Sequence, residues 1–66
     1  MGYGEDKAGL IVNALGLAVV DLIAAGVPIT KDNLIEQLVR NQQDATKVIE
    51  KKTNRDAAEL VRKGNK

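Results

Sequence analysis

Histidine and cysteine do not occur in this chain. Their absence removes the commonest general base, the best thiol nucleophile, every disulfide, and the imidazole and thiolate ligands of zinc sites. Phenylalanine and tryptophan are missing as well, and Tyr3 is the single aromatic residue. Any core must therefore be built from leucine, isoleucine, valine and alanine, which suits helices packed at close range. No set of aromatic rings is available to stack on bases. There is no glycine-rich phosphate loop, calcium-binding loop or zinc spacing. Carboxylate pairs such as Asp32 and Glu36, at i and i+4, read as a solvated helix face rather than a metal or acid/base site. These absences argue against an enzyme and lead us to expect no cofactor, no metal and no small-molecule substrate. The lack of cysteine fits a reducing, cytoplasmic location.

What the chain has in plenty is apolar sequence near its start. Ala8 to Ile29 is interrupted only by Asn13, Asp21 and glycines that a helix tolerates. At 66 residues the chain reads as one small helical domain, with residues 1–5 and 64–66 expected to be disordered. A domain of this size buries only about 60% of the surface that its unfolded chain exposes. With disulfides and the usual metal ligands excluded, oligomerisation remains as the support that small scaffolds use. The acidic start, with no small-x-small cleavage site after it, argues against a signal peptide.

The first helix is expected to begin near Asp6 and to end near Ala25, where Gly26 supplies a left-handed stop. On a helix wheel Ala8, Ile11, Val12, Leu15, Gly16, Val19, Val20, Leu22 and Ile23 take up about half the circumference. Lys7, Asn13, Ala14, Ala18, Asp21 and Ala25 fall on the other side. That arc is too wide for one short partner helix. A second copy of the chain is the expected cover, with Ile11, Leu15, Gly16, Val19, Leu22, Ile23, Leu34, Ile35 and Leu38 forming the core and dimer interface. Gly16 would let a second helix approach closely. A membrane span is the rival reading of the same stretch, since more than about 18 apolar residues suffice. Asp21 and Asn13 argue against it. Asp21 itself is expected to face solvent or to pair with a lysine or arginine.

After Pro28, Thr30 reads as the N-cap of a second helix from Lys31 to about Gln42, with Leu34, Ile35, Leu38 and Val39 on its apolar stripe. The stripe folds back on the first helix as an αα-hairpin. Asn41 to Asp44 is a polar interruption, after which either Asp44 caps a third helix reaching about Arg62 or the second helix runs on without a break. Ile49, Ala57 and Leu60 form a thin apolar face on this last segment. The expected fold is all-α: a helical hairpin with a third C-terminal helix, assembled as a homodimer.

Charge is unevenly spread. Residues 1–46 hold three cations against six carboxylates, and residues 47–66 hold seven cations against three. Lys47, Lys51, Arg55 and Arg62 share an arc of about 80° by helical spacing. Such a stripe is either a solvated face or a contact for nucleic acid or an acidic partner.

The pattern Leu15-Gly16-x-Ala18-Val19-x-x-Leu22-x-x-x-Gly26, followed by Ile29, Asn33-Leu34-Ile35 and Leu38, resembles the small enterobacterial YmgB/AriR family. These biofilm and acid-resistance regulators are grouped with the YcgZ and YmgA connector proteins of the Rcs phosphorelay. The resemblance runs more loosely through Val48-Ile49 to Arg55 and Glu59-Leu60-Val61. It implies a cytoplasmic, all-helical homodimer that modulates stress and biofilm gene expression, by binding a transcriptional response regulator or by binding DNA. The residues favour the protein contact, because Glu50, Asp56 and Glu59 interrupt the basic stripe. Direct DNA binding through the C-terminal helix is the alternative, and a small membrane protein the third reading.

Overall fold

The computed structural model describes residues 3–64, with side chains from residue 8 onward. It contains three helices, α1 (Tyr3–Ala25), α2 (Lys31–Asp44) and α3 (Val48–Lys63), and no strand among the described residues. The all-α fold is what the sequence pattern predicts, and of the two forms it leaves open after Asn41 to Asp44 the chain takes the separate third helix.

Several boundaries differ from expectation. Helix α1 starts at Tyr3 rather than Asp6, so Tyr3, Gly4 and Glu5 are helical instead of disordered. Elongating a nucleated helix adds one hydrogen bond per residue fixed, and a glycine costs only about 1 kcal/mol against alanine. Gly64, also expected to be disordered, closes α3 by donating its N–H to the Leu60 carbonyl at 2.8 Å. The rest of those two expected disordered ends, Met1, Gly2, Asn65 and Lys66, lies outside the described residues.

The ends that position the bundle are built locally. At the close of α1, Gly26 takes φ 71°, a conformation that costs other residues about 1–2 kcal/mol. Its N–H donates to Ile23 O at 3.1 Å, and that of Val27 donates to Leu22 O at 2.9 Å, which is the double bond pattern of a Schellman stop. Thr30 then caps α2, its hydroxyl accepting from the Asn33 N–H at 3.1 Å. The Asn33 side chain reaches back to donate to Pro28 O at 2.9 Å, so the short connection is tied at both sides.

Helices α2 and α3 are not continuous. Ala45 and Lys47 are extended, with ψ 139° and 141°, and they turn the chain between the helices. Asp44, the candidate cap of α3 in one of the two readings, is instead the last residue of α2, and the N-cap position falls to Lys47, which makes no side-chain capping bond. An ammonium has no acceptor to offer a backbone N–H. Helix α3 gains favourable end charges instead, from Glu50 in its first turn and Arg62 and Lys63 in its last.

The core is made of Ala14, Ala18, Leu38, Ala57 and Ala58, with Ile11, Leu15, Leu34, Ile35, Val39 and Val61 partly buried around it. Leu22 is buried too. Two expectations are corrected here. Ala14 and Ala18, placed by the wheel on the far side of α1, face inward, whereas Val12, Val20 and Ile23 face out. Ile49 and Leu60 are exposed on α3, and Ala57 with Ala58 and Val61 form its packing face. Alanine faces let helix axes come close, and the bundle is accordingly thin, 37 × 31 × 15 Å.

Leu38 is the one large side chain that is fully buried among the described residues. A chain this short has a total stability of only about 3–10 kcal/mol. Truncating a buried leucine costs about 3 kcal/mol or more. Leu38→Ala is therefore expected to lower the urea midpoint sharply and to leave a large unfolded fraction by circular dichroism at room temperature. An unchanged midpoint would mean that the three helices are not held by this core.

Candidate functional site

Helix α1 offers three faces, set by the 100° step between its residues. The inner face carries Ile11, Ala14, Leu15, Ala18 and Leu22 and packs on α2 and α3. An outer stripe carries Val12, Gly16, Val20 and Ile23, and a lateral face carries Leu10 and Leu17. Both of the latter are apolar and both are exposed. Over Ala8–Ala25 the mean hydropathy is 2.1, yet only 17% of that segment is buried. By length and composition alone this helix is able to cross a membrane.

The residues expected at the core and dimer interface thus separate. Leu22 and Leu38 are buried, and Ile11, Leu15, Val19, Leu34 and Ile35 are half-buried within one protomer. Gly16 and Ile23 lie on the outer stripe, where Ile23 is 61% exposed beside Val12 at 66% and Val20 at 59%. A Cβ built on Gly16 meets nothing within 4 Å. Inside the protomer, then, nothing requires a glycine there, and it costs helix stability relative to alanine.

The basic residues also separate. Lys51, Arg55 and Arg62 follow helical spacing on α3, but Lys47 precedes that helix in extended backbone and lines a groove against α1 instead. Arg55 Nε lies 3.7 Å from Asp56 Oδ1, and Arg62 Nη1 lies 3.7 Å from Glu59 Oε2, both on exposed guanidinium groups. Lys63 Nζ is 3.8 Å from the other Glu59 oxygen. Exposed pairs of this length contribute little to stability, but they dilute the positive field of the stripe.

Asp21 is exposed, as expected, and among the described residues it pairs with neither a lysine nor an arginine. Its Oδ2 accepts from Asn41 Nδ2 at 3.1 Å, and Asn41 Oδ1 accepts from Gln37 Nε2 at 3.0 Å. This chain of amide and carboxylate joins α1 to α2 across their solvent edge. Sequence reasoning misses it because the partners are 20 residues apart and amides carry no charge pattern to match.

The groove that Lys47 lines runs between α1 and the corner where α2 gives way to α3, and has a volume of about 500 Å³. Leu10, Leu17 and Ile49 supply its apolar wall, and Asp21, Asp44 and Glu50 its carboxylates. Among the described residues no group of three or more histidine, cysteine or acidic side chains is placed to hold a metal ion. Compared with models of protein families, with curated proteins and with solved structures, the chain finds no match.

The Asp21–Asn41 bond is exposed, so its net contribution should sit near the low end for a hydrogen bond, about 0.5 kcal/mol. A double-mutant cycle of Asp21→Ala and Asn41→Ala, read by urea unfolding, is expected to show coupling of that size. Strict additivity would mean that the two side chains do not meet in solution.

Proposed function

We propose that this chain is a non-enzymatic regulatory protein: a cytoplasmic, homodimeric connector that binds a transcriptional response regulator in biofilm and acid-stress control. The observation that carries the proposal is the outer stripe of α1. Val12, Val20 and Ile23 are each about three-fifths exposed around a glycine that its own protomer does not need. Burying each of them against a twin recovers about 1–2 kcal/mol. A glycine at the centre lets two helix backbones approach, as small residues do in close helix pairs. The resemblance to the YmgB/AriR family supplies the biological setting, and the abundance of exposed apolar surface supports protein contact over catalysis.

Direct DNA binding is the second reading, favoured by the exposed row Lys51, Arg55 and Arg62 on α3. The acidic residues spaced among them weaken it. The membrane reading is third. Drawing α1 into a bilayer would strip the cover from Leu38, Ala57 and Ala58 and break the bond to Asn41.

Sedimentation of the pure chain without detergent is expected to give twice the protomer mass at micromolar concentration. Gly16→Leu should shift it to the monomer while the helical signal in circular dichroism persists. A monomer at every concentration would overturn the dimer, and solubility in detergent alone would favour the membrane. For the client, affinity capture from an enterobacterial lysate should recover a transcriptional regulator. Recovery of none, together with salt-dependent retardation of promoter DNA that Lys51→Ala and Arg55→Ala abolish, would move the assignment to direct DNA binding.

A further inference from the structure

Leu10, Leu17 and Ile49 are 43%, 55% and 57% exposed, and all three converge on the groove between α1 and the α2–α3 corner. They come from two different helices, so this apolar wall exists only in the folded chain. Around it stand three carboxylates, Asp21, Asp44 and Glu50, against one cation, Lys47. Asp44 closes α2, whose last turn contains no basic residue. Its charge therefore adds to the negative end of the helix dipole instead of cancelling it. Neither Asp44 nor Glu50 forms an ion pair among the described residues. The result is an apolar trough with an electronegative rim.

From Leu10 to Asp21 the α1 side of the trough runs for roughly 16 Å, about three turns of helix. We propose that this groove is the docking site for an amphipathic helix of a partner protein, apolar along i, i+3/i+4 and i+7, with lysine or arginine flanking that stripe. Leucine-type side chains of the partner cover Leu10, Leu17 and Ile49, while its cations answer Asp44 and Glu50, the mode in which helices are held in grooves. Charge complementarity selects this occupant over the others. Anionic lipid and nucleic acid are repelled by the rim. A second copy of this chain does not fit either, because the apolar run of its α1, residues 8–25, contains no lysine or arginine, and Lys7 before it follows Glu5 and Asp6. Its basic row on α3 is interleaved with Asp56 and Glu59. The inference rests on the connector reading only in supposing that a protein client exists, and it assigns that client a surface distinct from the outer stripe.

The test uses the full chain labelled with nitrogen-15 and a synthetic helical peptide of roughly 18 residues, long enough to hold its shape. Leucines form one stripe of the peptide with lysines beside it, and a control peptide carries glutamate at each lysine. The basic peptide is expected to bind at least tenfold more tightly than the acidic one and to shift the amide signals of Leu10, Leu17 and Ile49. Leu17→Ser should weaken it about tenfold, and the paired Asp44→Asn and Glu50→Gln changes should weaken it and flatten its salt dependence. Circular dichroism of each variant confirms folding. Because both acidic positions are exposed, the second variant keeps the test valid if the first unfolds. Absence of binding at millimolar peptide, equal affinity for the two peptides, or shifts confined to Val12, Gly16, Val20 and Ile23 would each overturn the proposal. Sedimentation of Leu17→Ser separates it from the dimer reading. A retained dimer that no longer binds peptide supports a separate groove, and loss of both together overturns that separateness.

Discussion

A slab about 15 Å deep accommodates little more than two helix layers, because helix axes pack 8–10 Å apart. Each helix in it can be covered on one side only. For α2 this is harmless, since its uncovered side is polar and charged, whereas α3 leaves Val48, Ile49 and Leu60 exposed among its charges. Helix α1 is apolar nearly all round, so whatever the bundle covers, a wide apolar surface is left over. The choice of inward face then follows from close approach. Ala14 and Ala18 on α1 and Ala57 and Ala58 on α3 are buried, which brings backbones together and fills the interior with small side chains. The larger Val12, Val20 and Ile23 remain on the outside, where only another molecule can reach them.

That arrangement leaves the protomer with a weak interior. Four alanines and one leucine give the buried cluster, and alanine burial contributes much less transfer free energy than leucine or isoleucine. Stability must be drawn from elsewhere, in part from local devices such as the Schellman stop at Gly26 and the Thr30 cap. Binding a partner on the apolar surface adds to stability by mass action. A protein built in this way would be firmest when engaged, since the helix that packs its core also leaves Val12, Val20 and Ile23 exposed.

How much of this was readable in the sequence depended on whether the signal was local. Gly26, Thr30 and the Leu34-Ile35-Leu38-Val39 stripe are short-range features, and the structure places each as its chemistry demands. Asp44 stays ambiguous in the sequence because an acid serves equally well as the tail of one helix or the cap of the next, and only the extended Ala45 and Lys47 decide between them. The inward face of α1 was beyond periodicity. Hydrophobic spacing favours the arc with the larger side chains, whereas the packed face carries Ala14 and Ala18, clustered with the equally small Ala57 and Ala58. The groove was invisible for the same kind of reason, since Leu17 and Ile49 meet only through tertiary packing. Lys47 left the basic stripe as soon as its backbone ceased to be helical.

The two uncovered faces of α1 have an arithmetic consequence. Val12, Gly16, Val20 and Ile23 centre about 100° away from Leu10 and Leu17 around the helix, so occupying one does not block the other. If the outer stripe pairs with its twin, the contact is isologous and closes as a two-fold dimer. Such a dimer carries two grooves, one on each protomer. A client that is itself dimeric would meet both, and the second contact would then form at the effective concentration set by the first rather than by solution. Weak helix-in-groove contacts, each limited to about three turns, would add up to a tight complex with a dimeric client and a loose one with a monomer. If the proposed client exists, a small protein with a thin core would discriminate in this way between its assembled and unassembled forms without changing shape.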